Sequence, residues 1–293
     1  MNKITIRDVA AHAKVSTATV SYVLNGRTDQ KISEPTKKRV MEAVRELKYQ
    51  PDILAAHLAR QSTTRIIGLY YSSREASSFR ISRRIRIIEQ LSSALMGFGY
   101  SVLLLNARTE DNLNLPACVV AIDVTQEVYD RIKQKIYVPT ILLDSFVDDP
   151  EPYQVYADYE DTFNTLRKKM FPDVPFFLAM AETHNLRYQE FLARTFPRED
   201  VYFYDNNEGF HKFLENHKNH YGIIIGQELA NLQYDLGYSQ RTFTITTMRA
   251  RLDGQFNTVI YRDVNTYTRI IGETIEKALF KEEGPESKLI PIK

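Results

Sequence analysis

The chain has 293 residues, of which 43% are hydrophobic and 26% charged, with a formal net charge of +1. This length has room for two domains with separate cores, and a single cysteine excludes a disulfide framework. No apolar run reaches the roughly 18 residues of a membrane span, and the opening MNKITIRD lacks a signal-peptide core, so we expect a cytoplasmic protein with no membrane partner.

The charge is distributed unevenly along the chain. Residues 1–65 hold 12 Lys+Arg and 6 Asp+Glu, a net charge of +6, whereas the remainder has a net charge of −5. Only two of the 33 Phe and Tyr residues, Tyr22 and Tyr49, lie in this first part. A small, basic, aromatic-poor segment before a larger acidic body indicates a polyanionic partner for that segment.

The first 50 residues predict three helices, of which the first two are joined by a very short turn. Thr5 can cap the first helix, because Asp8 follows three residues later. Ser16 can cap the second helix directly after a turn at Lys14-Val15. This spacing is that of a helix-turn-helix, in which the turn seats the second helix on the first so that it protrudes. The predicted core residues of these two helices are Ile6, Val9, Ala10, Ala13, Val20, Val23 and Leu24.

The second helix carries short side chains on the face that the core does not need. Thr17 can donate or accept a hydrogen bond, Ala18 can contact a thymine methyl group, and Tyr22 reaches one turn further. A major groove admits a helix of this kind, so the face predicts contacts to duplex DNA. A plain three-helix bundle with a polar surface has the same spacing, and the residues alone leave that alternative open.

A third helix and a short hinge complete this part of the chain. Ser33 can cap the third helix, with Pro35 in its first turn and an apolar stripe at Val40, Ala43, Val44 and Leu47. Segment 51–65 predicts a short helix with Leu54, Ala55 and Leu58 on one side. Such a helix is too short to be stable alone, so we expect it to fold only against a partner.

Three segments, TIRDVAAHAKVSTATVSYVLNG, ISEPTKKRVMEAVRELKYQPD and LAAHLARQSTTRIIGL, together run from residue 4 to about residue 69. They resemble the DNA-binding head and hinge of LacI/GalR transcriptional regulators, except that Lys14 stands where the family often has glycine or asparagine. The resemblance implies a homodimer on a near-palindromic double-stranded operator, with the second helix of each head in the major groove. It also implies that paired hinge helices wedge Leu58 into the minor groove.

By this resemblance the base readers are Thr17, Ala18 and Tyr22, with Arg27 or Lys31 assisting. The whole set of expected DNA-contacting residues is Thr5, Ser16, Thr17, Ala18, Thr19, Tyr22, Asn25, Arg27, Lys31, Ala55 and Leu58. We divide the chain into a helix-turn-helix DNA-binding domain (1–50), a hinge helix and linker (51–65), and an effector-binding and dimerisation domain (66–293).

Residues 66–293 alternate short apolar runs with amphipathic stretches. The runs predict strands at 66–71, 101–105, 117–122, 140–144, 176–180, 201–204, 222–225, 243–246 and 258–261. The stretches between them predict helices at 83–98, with Ile85, Ile88, Leu91 and Leu95 on its apolar face, and at 163–170, 187–196, 208–217 and 264–280. This alternation indicates parallel sheets covered on both faces, with a cleft between two such sheets. We interpret Cys118 as a small core residue of the third run.

The body also resembles the family, through VPTILLD (138–144), VYADYEDT (155–162) and NLRYQEFL (185–192). The resemblance implies two doubly wound parallel-sheet subdomains of the periplasmic-binding-protein-like type. The body is shortened here, because only RTEDNLNLP links the second strand to the third. The expected fold class is therefore an all-α helix-turn-helix head followed by an α/β body of two subdomains.

Ligands of such folds lie at the carboxyl ends of the strands. The candidate effector-binding residues at these ends are Tyr71, Ser72, Asp144, Arg187, Gln227 and Arg249. The resemblance implies effector contacts for Asp144 and Arg187. The carboxylate pairs that hold sugars in relatives are replaced here by Gly226-Gln227 and by the segment TMRAR. Three alternatives remain open: an anionic metabolite held by arginines, a sugar held by other residues, or a body without a small-molecule ligand that serves dimerisation or a protein partner. Of these we favour a small metabolite, such as a sugar or a sugar phosphate.

Motifs of catalysis and metal binding are missing from the sequence. No G-x-x-x-x-G-K-[ST], G-x-S-x-G or H-E-x-x-H occurs, so we expect neither an enzyme nor a cofactor. His211, His217 and His220 are close in sequence, but their polar neighbours indicate a solvated helix end, and we expect no metal site there. The expected function is a sequence-specific transcriptional regulator, by family a repressor.

Overall fold

The computed structural model describes residues 4–24, 32–47, 49, 66–72, 78–238, 241–246, 257–280 and 288–293. The predictions for the hinge helix, and those for the residues Asn25, Arg27, Lys31, Ala55, Leu58 and Arg249, lie outside the described residues. Within the described part of the chain, no helix is both long enough and apolar enough to cross a membrane.

Three helices form the head: α1 (Ile6–Ala13), α2 (Thr17–Leu24) and α3 (Glu34–Glu46). The predicted cap of α1 is confirmed, because the N–H and the hydroxyl of Thr5 both donate to Asp8 Oδ2 at 2.7 Å. Lys14 ends α1 in the left-handed region, with φ +54° and ψ +47°, and so turns the chain sharply into α2. The predicted core is also confirmed: Val9, Ala10, Ala13, Val20, Leu24, Val40, Ala43 and Val44 form one buried cluster.

The head also contacts the body. Tyr137 packs against the head's apolar cluster, and the Arg45 guanidinium donates to the carbonyl oxygen of Gln134 at 3.1 Å. One apolar and one polar contact therefore join α3 to the loop around residue 135.

The first parallel sheet of the body has six strands. They are β1 (Ile66–Tyr71), β2 (Ser101–Leu105), β3 (Cys118–Ile122), β4 (Thr140–Leu143), β5 (Tyr153–Ala157) and β11 (Leu289–Ile292), in the order β11-β5-β4-β3-β1-β2. Helices α4 (Ser78–Gly97) and α10 (Val264–Phe280) cover one face, and α5 (Gln126–Lys133) covers the other. Both faces are therefore buried, which explains why β3 is apolar throughout.

The second sheet has five parallel strands. They are β6 (Phe176–Ala181), β7 (Val201–Tyr204), β8 (Tyr221–Ile225), β9 (Thr242–Thr246) and β10 (Asn257–Tyr261), in the order β10-β9-β8-β6-β7. Its helices are α6 (Glu160–Asn164), α7 (Leu186–Ala193), α8 (Asn207–Asn216) and α9 (Gln227–Asp235). In both sheets the second strand in chain order lies at one edge and the first strand lies beside it. The third, fourth and fifth strands follow on the other side of the first, which is a doubly wound arrangement. The expected fold class is confirmed.

Several predicted elements differ in the structure. Strands β5 and β11 and helices α5 and α9 were missing from the prediction. Strand β11 contains Pro291, which has no N–H to donate and is tolerated because the strand lies at the sheet edge. The predicted helix at 163–170 begins at Glu160 and becomes a π-helix from Thr165 to Met170.

The apolar face of α4 was also predicted incorrectly. Ile85 is 58% exposed, while Ile87, Leu91 and Leu95 are buried against the first sheet. Residues four apart share a helix face, and Ile85 lies about 200° from Ile87 around the axis, so burying one exposes the other. Cys118 is fully buried, as predicted.

Candidate nucleic-acid interface and interdomain cleft

Helix α2 presents the predicted DNA-contacting face to solvent. Ala18 is exposed and Tyr22 is half-buried on the side of α2 that lies opposite Val20 and Leu24, which are buried in the head core. Thr17 is exposed as the first residue of the helix. A partner can therefore contact the exposed side of α2 without disturbing the core of the head.

Three further predicted contacts take part in helix caps. The N–H of Thr19 donates to Ser16 Oγ at 3.0 Å, and the two hydroxyls lie 2.9 Å apart. Thr5 caps α1 through Asp8, and these hydrogen bonds lower the pKa of the Asp8 carboxyl group. The hydroxyls of Thr5 and Ser16 therefore already have partners at the ends of the two helices.

Exposed basic side chains accompany this face. Arg7, Lys14, Lys38 and Arg39 are exposed on the head. Cations of this kind attract DNA phosphates without regard to sequence, and they make binding depend on salt.

The carboxyl ends of the two sheets face each other across a cleft. Asp123 follows β3, Asp144 follows β4 and Gly226 follows β8. A cavity of about 100 Å³ lies between them, which is smaller than the roughly 300 Å³ at which ligand pockets begin. Residues of both subdomains line it, among them Arg83, Asp144, Tyr159, Glu228, Arg262 and Tyr267.

Arg83 of α4 occupies the middle of this cleft. Its guanidinium donates to Asp144 Oδ2 at 2.6 Å and lies 3.7 Å from Asp123 Oδ2. Both aspartates have positive φ angles, +50° for Asp123 and +51° for Asp144, a conformation that this residue type tolerates better than most. Burial disfavours the charged guanidinium, but the two carboxylates outweigh that effect and hold the pKa of Arg83 above its usual value.

The two carboxylates share the guanidinium unequally. Burial raises the pKa of Asp123 to about 6, although Arg83 and two backbone N–H groups favour the ionised form. Since Arg83 lies closer to Asp144, its charge is largely balanced there. Protonation of Asp123 would make the three groups together neutral.

Two further arginines of α4, three residues before and three residues after Arg83, form ion pairs across the cleft. Arg80 pairs with Glu182 after β6, and Arg86 pairs with Glu228 in α9. Because β6 and α9 belong to the second sheet and its helices, α4 binds the second subdomain as well as the first.

Asn185 joins the subdomains at a second place. Its Oδ1 accepts the N–H of Tyr188 at 2.9 Å and so caps α7. Its Nδ2 donates to the carbonyl oxygens of Val124 and Phe146 at 2.8 and 3.0 Å, and its N–H donates to Asp123 Oδ1 at 3.1 Å. One residue of the second subdomain therefore makes three hydrogen bonds to the first.

Among the predicted effector-binding residues, the structure places Asp144 in the cavity wall. Tyr71 and Ser72 instead contact Arg84, whose guanidinium donates to the Ser72 carbonyl at 2.6 Å and lies over the Tyr71 ring. Arg187 lies at the surface and outside the cavity lining, because Asp148 holds it in a bidentate pair at 2.5 and 2.6 Å.

Gln227 lies at the start of α9, next to the cavity residues Gly226 and Glu228. Its side chain is buried and donates to Asn231 Oδ1 at 2.8 Å. Its Oε1 has no hydrogen-bond partner in the part of the chain that the structure describes. A buried acceptor of this kind can receive a hydrogen bond from a ligand donor or from water.

Sequence reasoning missed Arg83 and Asp123. A signal was present for each of them. The segment RISRRIR carries an arginine every third residue within a helix, and Asp123 follows a buried strand in the same way as Asp144 does.

Comparisons with known proteins decide the family. Residues 5–52 match the model of bacterial regulatory proteins of the lacI family. A ribose operon repressor of Halalkalibacterium halodurans is 30% identical over 242 residues, which are 78% of this chain and 62% of that repressor. The chain belongs to the lacI family. The HTH-type transcriptional repressor PurR of Edwardsiella ictaluri is 34% identical over 144 residues, 49% of this chain and 39% of PurR.

The alignments of this lacI-family chain thus span less than two thirds of either repressor's length. A crystal structure of the lac repressor dimer bound to operator and the anti-inducer ONPF superimposes with a TM-score of 0.58. The match covers 99% of this chain and 97% of that one at 17% sequence identity, which shows a common fold.

Proposed function

We propose that this lacI-family protein is a sequence-specific transcriptional repressor, and not an enzyme, that binds a near-palindromic operator as a homodimer. The supporting observation is that the short side chains of Thr17 and Ala18 are exposed in the first turn of α2, while Val20 and Leu24 are buried in the head core. The match of residues 5–52 to the lacI family, and the two repressors among the relatives, agree with this proposal.

In this proposal α2 enters the major groove, and Thr17, Ala18 and Tyr22 contact base edges. The exposed arginines and lysines of the head hold phosphates on either side. Asn25, Arg27 and Lys31 would extend the base and phosphate contacts beyond α2. The hinge residues Ala55 and Leu58 would enter the minor groove between the two heads.

An apolar stripe on α4 supports the homodimer. Ile81, Ile85 and Met96 lie within about 60° of one another around the helix axis, and all three are exposed. Phe98, directly after the helix, is 52% exposed. An exposed apolar face of this kind is typical of an interface, and we propose a second copy of the chain as its partner.

The DNA proposal is tested by selection from a random duplex library with the purified chain. We expect enrichment of near-palindromic sites, and we expect Tyr22→Arg to change the bases preferred at one position of each half-site. Thr17→Ala should weaken operator binding by about 1–3 kcal/mol. Lys212→Ala, an exposed change on α8 of the body, is the control and should leave binding unchanged. No enrichment over random duplexes would refute the proposal.

We also propose that the cleft binds a small polar metabolite such as a sugar or sugar phosphate. The cleft offers carboxylate acceptors from Asp123 and Asp144 together with guanidinium donors from Arg83, Arg86 and Arg262. Because the cavity is small and Arg83 fills its centre, the ligand would have to open the cleft and compete with Arg83 for Asp144.

The small cavity and the Arg83 side chain that lines it also favour a second candidate, in which the body has no small-molecule ligand and serves dimerisation or a protein partner. A thermal-shift screen of sugars, sugar phosphates and organic acids separates the two. For the first candidate, one compound class should raise the melting temperature of the wild type and of Asp148→Asn, a surface change, but not of Asp144→Asn. If no compound does so, the second candidate stands.

A further inference from the structure

Two histidines and one aspartate lie close together at the amino ends of strands in the second sheet, on the side opposite the cleft. Asp200 directly precedes β7 and His220 directly precedes β8, so both lie at the amino ends of strands, while the cleft lies at the carboxyl ends. His217 follows the last residue of α8. One nitrogen of each histidine and one oxygen of Asp200 all lie within 4.8 Å of one another.

The hydrogen bonds of His217 leave one of its nitrogens facing a carboxylate. Its Nδ1 lies 2.8 Å from the carbonyl oxygen of Phe213, which can only accept, so Nδ1 carries the proton. In a neutral ring, Nε2 is then an acceptor, yet it lies 3.2 Å from Asp200 Oδ1, which is also an acceptor. Two acceptors at this distance need a cation between them, either a second ring proton or a metal ion. A histidine that donates one N–H to a backbone carbonyl is typical of a metal ligand.

His220 adds a third group with an incomplete set of partners. Its Nε2 lies 3.8 Å from the same Asp200 oxygen, which is beyond hydrogen-bond distance. Its Nδ1 is buried and has no hydrogen-bond partner among the described residues. Within the described part of the chain, no Lys or Arg nitrogen lies within 4 Å of the Asp200 carboxylate.

We propose that Asp200, His217 and His220 bind one divalent transition-metal ion, with Zn²⁺ as the ion that suits this set of ligands. Ligand atoms about 2.1 Å from a tetrahedral zinc ion lie roughly 3.4 Å apart, and the observed separations of 3.2 and 3.8 Å from Asp200 are close to that value. Imidazole nitrogens favour zinc, copper and nickel over magnesium and calcium. The side chains of Asp200 and His220 are partly exposed, so water can complete the coordination.

The ion has a structural role in this location. It would join the end of α8 to the turn before β7 and to the start of β8, at the end of the second sheet opposite the cleft. The histidine spacing in the sequence did not reveal the site, because Asp200 lies 17 residues from His217. His211, the third histidine of that segment, lies instead beside Tyr238, 3.4 Å from its hydroxyl.

The test uses the full chain, prepared without a histidine tag and dialysed against a chelator. Zn²⁺ binding is measured by calorimetry, and Co²⁺ binding by its visible absorption, in the wild type and in Asp200→Asn, His220→Gln and His211→Ala. We expect one ion per chain, a higher melting temperature with Zn²⁺, and a tetrahedral Co²⁺ spectrum. Asp200→Asn and His220→Gln should each weaken binding at least tenfold, and circular dichroism in metal-free buffer shows whether they remain folded.

His211→Ala is the matched control, because it removes a histidine from the same helix that the site does not use. It should bind the ion as the wild type does. The proposal is wrong if no ion binds, since a second proton on His217 then accounts for its contact with Asp200. It is also wrong if His211→Ala loses binding as strongly as His220→Gln, since the ion is then held by surface histidines.

Discussion

The head and the cleft present very different surfaces to their proposed partners. On α2, the short side chains of Thr17 and Ala18 are exposed in the first turn, and the buried residues Val20 and Leu24 hold the helix in the head core. In the cleft, the central cation Arg83 is already paired with Asp144 and Asp123. DNA can therefore contact Thr17 and Ala18 without replacing an ion pair, whereas a cleft ligand must compete with Arg83 for Asp144. Because Arg80 and Arg86 pair with Glu182 and Glu228 of the second subdomain, a ligand that opens the cleft would also change the arrangement of the two subdomains.

Arg83→Ala should have the largest effect, because it leaves two buried carboxylates without their cation. Removing one partner of a buried ion pair costs about 3–5 kcal/mol. Arg39→Ala on the head, where the side chain is exposed, should change stability by less than about 0.5 kcal/mol. Urea unfolding followed by circular dichroism gives both values, and similar values would remove the contrast between the two regions.

The pH dependence of stability should carry a contribution from Asp123. Its pKa of about 6 in the folded protein lies above the usual value of 3.8 for an aspartate, so the folded state binds the proton more tightly. The resulting stabilisation is complete below pH 4 and is lost as the pH rises through 6. A shift of this size corresponds to about 3 kcal/mol.

Asp123→Asn isolates this contribution, because the amide cannot ionise and can still accept the N–H groups of His184 and Asn185. Between pH 4 and pH 7 the wild type should lose stability relative to the variant. Parallel stability curves for the two proteins would show that Asp123 does not titrate in this range.

The smallest predicted effect lies in the head, at Lys14. A side chain in the left-handed region is strained, and glycine relieves that strain at a cost in backbone entropy, so Lys14→Gly should stabilise the head by about 0.5–1 kcal/mol. Lys38→Gly, the same change inside α3, should instead destabilise the head by about 1 kcal/mol. Hydrogen exchange of the head amides measures both changes in stability. If both substitutions destabilise the head, the turn at Lys14 is not strained.

The head was predictable from the sequence because its contacts are local. The cap of α1 joins Thr5 to Asp8, and the turn at Lys14 fixes α2 directly on α1. The cleft and the metal-binding cluster depend on distant residues, which a periodic pattern does not bring together. Arg83 and Asp144 are 61 residues apart, and Asp123 and Asn185 are 62 apart. Strand β11 exists only through pairing with β5, more than 130 residues earlier.

Asn185 has a consequence for how the cleft would move. Its three hydrogen bonds reach two loops of the first subdomain, the one after β3 and the one after β4, so parting the subdomains at this point breaks all three. A partly rotated body would lose these bonds without gaining the space that a ligand needs. Opening the cleft would have to break this anchor as a unit, which favours a shut and a fully parted arrangement over intermediate ones.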